Sequence, residues 1–121
     1  MNAINIKGQS EDRLQQICFL WHWNEYPDQR GLLFHVPNGG NRNAREGAKF
    51  KTMGVIPGVS DLIFLYDGVA HFIELKNEKG VQSKRQKNWE ALVKAERFPY
   101  YIVRSLDSFQ ILIETIIKSE W

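Results

Sequence analysis

With 121 residues, 14.1 kDa, 43% hydrophobic and 25% charged residues, the chain has the size and make-up of one soluble domain, 1–121, with no room for a second. A net charge of +2 leaves any nucleic-acid affinity to local clusters, and a single cysteine, Cys18, excludes an internal disulfide or a cysteine zinc site. No apolar run approaches a membrane span or a signal segment, so the expectation is a cytoplasmic protein with no membrane partner.

Ser10 reads as the N-cap of a first helix of about a dozen residues, because Leu14, Ile17, Cys18 and Trp21 recur at helical spacing. Glu11 falls on the flank of that apolar stripe, whereas Asp12 points away. Glu11 is then either a first-turn acid favoured by the helix dipole or a carboxylate leaning toward whatever the helix packs on. Asn24 to Gly31 reads as a loop, and Leu32–Val36 as a short strand stopped by Pro37-Asn38-Gly39-Gly40. His35 ends that strand, either as a hydrogen-bonded structural residue or as a contact to a phosphate or a metal region.

Asn38 to Ser60 is the longest stretch without a β pattern, with a short helix expected over Ala44–Met53. Arg42, Arg45, Lys49 and Lys51 stand there against one acid, Glu46, between glycine-rich ends. Basic side chains with glycine amides suit sugar-phosphate contacts; the bland alternative is a solvated loop with scattered charges. Long connections in compact domains are usually functional or disordered.

The stretch Asp61–Lys76 organises the rest. Two apolar runs flank Asp67-Gly68, the strongest short-range signal for a two-residue β-hairpin. That turn sets Tyr66 opposite Val69, Ile63 opposite Phe72 and Asp61 opposite Glu74, and alternation puts Lys76 on the face of Glu74. Like charges opposite one another destabilise a sheet unless they share a proton or a cation. Hard oxygens at this spacing suit Mg²⁺, which takes one or two carboxylates and keeps waters. The alternative is a salt-bridged hairpin end, Lys76 neutralising one carboxylate.

Asn77–Gly80 reads as a loop. Ser83 followed by Gln86 is a capping-box signature opening a second helix, which carries Trp89, Leu92, Val93 and Glu96 at helical spacing. Gln86 either caps or points at the sheet. Lys79, Lys84, Arg85 and Lys87 crowd the entry to this helix, where amides also favour anions. Tyr100–Val103 is a fourth strand. Ser105 or Asp107 caps a last helix bearing Phe109, Leu112, Ile113, Ile116 and Ile117, which reads as scaffold or a dimer face, with Trp121 packed at its end.

The ordered set of Glu11, His35-Val-Pro-Asn38-Gly-Gly40, Gly54, Pro57-Gly-Val-Ser-Asp61-Leu62, Glu74-Leu75-Lys76 and Gln86 resembles the VRR-NUC family of PD-(D/E)XK nucleases, in its small stand-alone phage and bacterial form. The resemblance spans almost the whole chain. One departure is Ser60, where the family often has proline. The resemblance implies a restriction-endonuclease-like α/β fold: an αβββαβ core with a mixed four-stranded sheet flanked by helices, plus a C-terminal helix. It implies that Asp61 and Glu74, helped by the main-chain carbonyl of Leu75, hold Mg²⁺ or Mn²⁺. Lys76 would orient and activate the attacking water, Glu11 would act through water or a second metal, and Gln86 would position the lysine or the water. His35, Asn38, Arg42, Arg45, Lys49, Lys51, Lys79, Lys84 and Arg85 would contact DNA. The implied activity is a homodimeric endonuclease for branched DNA such as four-way junctions, in a bacterial or phage-infected cell. A flap, nicking or duplex-cutting nuclease and an inactive DNA-binding module are the alternatives.

Overall fold

The computed structural model describes residues 10–37 and 44–119. Its centre is the hairpin, whose turn residues both take positive φ, +50° at Asp67 and +79° at Gly68. This is the type I′ geometry, whose twist matches that of the strands it joins. In chain order the elements are α1 (Glu11–Glu25), a 3-10 turn at Pro27–Gln29, β1 (Leu33–His35), α2 (Ala44–Thr52), β2 (Leu62–Tyr66), β3 (Val69–Leu75), α3 (Lys84–Ala95), β4 (Tyr100–Val103) and α4 (Leu106–Lys118). The strands form one mixed sheet in the order β1-β2-β3-β4. The first two pairings are antiparallel and β3-β4 is parallel, which requires the crossover that α3 provides.

Register assigns the faces. Phe64 lies opposite His71 and Ile63 opposite Phe72, so these pairs point to opposite sides of the sheet. The Phe64 side carries α1 and α4: His22 meets Phe64 edge-on, Trp21 meets Phe109, and Tyr66 Oη donates to the Ile117 carbonyl. Leu14, Cys18, Leu33, Leu62, Phe64, Ile73, Phe109, Ile113 and Ile116 are buried in this layer. Burial pushes the Cys18 thiol up to about 12, so it stays protonated and inert. The apolar row of α4 is taken up by this core rather than left as a free face, and Ser105 is its cap, accepting from the Ser108 amide. Trp121 lies outside the described residues.

The Phe72 side carries α3. Trp89 meets Phe72 edge-on at 5.1 Å and also packs near Tyr100. Leu92, expected in that stripe, is instead 66% exposed. The line facing the sheet runs Gln86–Trp89–Val93, and at 3.6 residues per turn Leu92 falls about 100° from Val93. Conversely, His22 was absent from the expected core, yet it continues the Leu14–Cys18 row and is buried. Its Nε2 donates to Gln29 Oε1 at 2.9 Å, and burial lowers its pKa, keeping the ring neutral.

Gly58 fixes how α3 meets the chain leading into β2. Its φ is +94°, and a Cβ there would lie 2.6 Å from the Arg85 carbonyl oxygen. Only glycine allows so close an approach. Among the described residues, no helix is long and apolar enough to cross a membrane.

Candidate active site

The polar residues gather at the open end of the hairpin, where the β2-β3 ladder stops at Leu62 opposite Ile73. Hydrogen-bonded pairs alternate along an antiparallel ladder, so the next such pair would be Ser60 with Leu75. The Leu75 amide donates instead to Asp61 Oδ2, at 2.8 Å. Asp61 is thus not a ladder partner of Glu74, as the turn register suggested; its carboxylate replaces the ladder carbonyl. Its main-chain carbonyl accepts from the Val36 amide at 3.0 Å and from His35 Nδ1 at 2.8 Å. A carbonyl only accepts, so Nδ1 carries the proton. β1 therefore pins the backbone of Asp61 while its side chain reaches β3.

Glu74 is fully buried and gripped from two sides. Oε2 accepts from Gln86 Nε2 at 2.6 Å and lies 3.7 Å from Lys76 Nζ. Oε1 accepts from Tyr100 Oη at 3.2 Å. The other end of the Gln86 amide accepts from the Ser83 amide at 2.8 Å, completing a capping box with the Ser83 hydroxyl. Both readings of Gln86 are realised at once by the two ends of one side chain.

Glu11, at the start of α1, brings Oε1 to 3.9 Å from Lys76 Nζ, while Oε2 accepts from the Asn77 amide at 3.4 Å. A Cβ on Gly80 would lie 2.8 Å from that Oε2, so the Asn77–Gly80 loop wraps closely over Glu11. Arg104 closes the loop from the other side, donating to the carbonyls of Asn77 at 3.0 Å and Gly80 at 2.6 Å.

Three carboxylates thus face one ammonium, itself only 6% exposed. Burial is the main cause that pushes Glu74 up to about 7, and the negative charge of Asp61 adds to it; Lys76 and the Tyr100 hydroxyl act in the opposite sense. Burial likewise raises Asp61, against the Leu75 amide, which favours its ionised form. Among the described residues, no three His, Cys, Asp or Glu side chains make a ready metal cage. A cation here would rest on two carboxylates, with main-chain and water oxygens completing its shell, which is the sparse scheme Mg²⁺ uses.

Arg45, Lys49 and Lys51 project from α2 into solvent, and Lys79, Lys84 and Arg85 are exposed around the entry to α3. The His35 ring is committed to Asp61, and Asn38 and Arg42 lie outside the described residues. Sequence reasoning missed Tyr100 and Arg104. Both depend on the parallel β3-β4 pairing, Phe72 opposite Tyr100 and Leu75 opposite Val103, which no local signal announces.

No family model matches the chain, and no curated protein matches it. Among solved structures, one described as a VRR_NUC domain protein superposes with a TM-score of 0.73 at 26% identity, covering 93% of this chain and 91% of that one. The mixed four-stranded sheet flanked by helices is consistent with that likeness. The chain therefore carries a VRR-NUC-like, restriction-endonuclease-like α/β fold.

Proposed function

We propose that the chain is a metal-dependent DNA endonuclease that hydrolyses phosphodiester bonds in branched DNA, four-way junctions in particular, and acts as a homodimer. The observation that carries this reading is the gathering of Glu11, half-buried Asp61 and fully buried Glu74 around the ammonium of Lys76, three carboxylates to one cation. A structural ion pair would neutralise itself. Here Lys76 stands 3.7 Å from Glu74 and 3.9 Å from Glu11. An amide, not a cation, holds Asp61.

The donor set fits Mg²⁺ or Mn²⁺, held by Asp61, Glu74 and the Leu75 carbonyl. Such a cation, when bound, would polarise the scissile phosphate and stabilise charge on the leaving oxygen. Lys76, held between Glu11 and Glu74, orients the attacking water and raises its reactivity. Gln86 keeps Glu74 and Lys76 in register, and Glu11 fixes both the ammonium and the loop that follows it. Arg45, Lys49, Lys51, Lys79, Lys84 and Arg85 supply sugar-phosphate contacts, which position DNA without reading its sequence. The similarity to a solved VRR_NUC domain protein supports nuclease chemistry. Among the described residues there is one such site, so paired cuts in two strands require two copies; the preference for junctions and the dimer follow the family resemblance.

The test is cleavage of a labelled immobile four-way junction and of matched linear duplex with Mg²⁺, Mn²⁺ or EDTA. Paired symmetric cuts in the junction alone, lost in EDTA and in Asp61→Ala and Lys76→Ala with binding retained, are expected. Full cleavage by either variant would overturn the assigned site. Equal rates on junction and linear arms would replace the junction preference with a duplex-cutting activity.

A further inference from the structure

Glu74 is held by a side chain that lies outside the ordered set of Glu11, Asp61, Glu74, Lys76 and Gln86. We propose that Tyr100 is a positioning residue for Glu74, its hydroxyl proton aimed at Oε1 by a hydrogen-bond relay that begins at Lys94. The inference rests on the metal-dependent reading above and deepens it.

With Glu74 ionised, every link of the relay has one possible polarity. Lys94 pairs with Glu90 one helical turn earlier on α3, and an ammonium only donates. Glu90 Oε1 then accepts from Gln82 Nε2 at 2.9 Å. That contact fixes which end of the Gln82 amide is nitrogen, because an ionised carboxylate offers no proton. The same Nε2 donates to Tyr100 Oη at 3.3 Å. With its oxygen engaged as an acceptor, the tyrosine has one proton, and Glu74 Oε1 receives it at 3.2 Å.

Gln86 is fixed in the same way, since its oxygen caps Ser83 and its nitrogen must face Glu74. The buried carboxylate is therefore set by neutral donors from β4 and α3, one on each oxygen. A carboxylate has about four acceptor sites, and Tyr100, Gln86 and Lys76 approach three of them. The remaining site, pointing in one direction, is where a cation would bind. Neutral donors suit this task because they orient the carboxylate without cancelling the charge that attracts the cation. Outer partners of this kind typically change metal affinity by about 10–100-fold when removed.

The test uses the full chain without DNA: Mn²⁺ titration by calorimetry on wild type, Tyr100→Phe, Gln82→Leu and Asp61→Asn, with circular dichroism to verify folding. Tyr100→Phe is expected to raise the Mn²⁺ dissociation constant about tenfold. Gln82→Leu, which leaves the tyrosine in place but frees its proton, is expected to raise it about two- to threefold. In cleavage assays the half-saturating Mn²⁺ concentration moves by the same factors, while the rate at saturating Mn²⁺ largely returns. If Tyr100→Phe fails to fold, Gln82→Leu decides alone, and wild-type affinity in that variant overturns the proposal. Tyr100→Phe within twofold of wild type, with binding lost in Asp61→Asn, refutes the positioning role and leaves the proposed function standing. Wild-type protein that binds no Mn²⁺ overturns both.

Discussion

Glu74 is expected to make the cation-free protein lose stability as the pH rises. Its carboxyl, ordinarily at 4.5, is pushed up to about 7 in the folded chain, first by burial and then by Asp61. Between those values the unfolded chain releases the proton and the folded chain keeps it. The folded state then binds more protons, so stability falls as pH climbs from about 4.5 to about 7 and levels off above. At about 1.36 kcal/mol per unit the full loss is about 3 kcal/mol, and with the side chain 1% exposed no solvent screening reduces it. Asp61, also raised, acts in the same sense. His22 and His71, lowered from 6.5 by burial, act in the opposite sense: they lose stability as pH falls through that range.

Because these terms overlap, the measurement is a difference. Urea unfolding of wild type and Glu74→Gln in EDTA at pH 5, 6, 7 and 8 separates the Glu74 contribution from the histidines. The wild-type stability minus that of the variant is expected to fall by about 2–3 kcal/mol from pH 5 to 8. A difference flat within about 0.5 kcal/mol would show that Glu74 ionises at its ordinary value, and the burial reasoning would fail. Added Mg²⁺ reverses the sign, because a cation selects the ionised form. Its apparent affinity is expected to be about tenfold weaker at pH 6 than at pH 8.

Gly58→Ala is expected to cost about 1–3 kcal/mol, since it forces a side chain to positive φ and against the Arg85 carbonyl. It also displaces the first turn of α3 and with it Gln86, so cleavage falls with the melting temperature; an unchanged melting temperature would contradict the close approach. Phe64→Ala empties a fully buried site between His22, Tyr66 and His71 and is expected to cost about 3–5 kcal/mol by urea titration, a loss under about 1 kcal/mol arguing against a packed core there. Replacing Arg45, Lys49 and Lys51 together by alanine is expected to weaken DNA binding equally across sequences and to lower the salt slope by up to about 3. An unchanged slope would remove α2 from the DNA interface.

The parts of this structure legible in the sequence are those whose cause is local. Asp67-Gly68 dictates its own turn type, and the turn dictates the register as far as Leu62–Ile73. Ser83 and Gln86 announce a capping box three residues apart, and the box forms. Where a contact depends on elements distant in sequence, the reading stops short. Nothing near Tyr100 states that β4 pairs in parallel with β3, Tyr100 opposite Phe72 and Tyr101 opposite Ile73, and that pairing sends the Tyr100 hydroxyl to Glu74 and the Tyr101 hydroxyl to His71. His22 was hidden by its residue type: its spacing from Leu14 and Cys18 fits a buried row, but it is buried only because Gln29 meets its Nε2. Leu92 failed for the opposite reason, an apolar residue on a helix that touches the sheet along one narrow line.

The arrangement at the hairpin end differs from that of a simple ion-paired hairpin end. A β-hairpin that merely carried opposed acids would gain most by pairing each with a cation or by exposing them to water. This chain pairs none of them closely, Lys76 standing 3.7 Å from Glu74 and 3.9 Å from Glu11, and it shuts Glu74 away from water. It stops the ladder before Asp61 meets Glu74, uses the Asp61 carboxylate as the acceptor for Leu75, and buries Glu74 completely. It then surrounds Glu74 with an amide from α3 and a hydroxyl from β4, donors that fix orientation and cancel no charge. The single ammonium is shared between Glu11 and Glu74, close to both and in tight contact with neither. Each choice holds the carboxylates rigid at a cost in stability, a cost that the proposed cation would offset on binding.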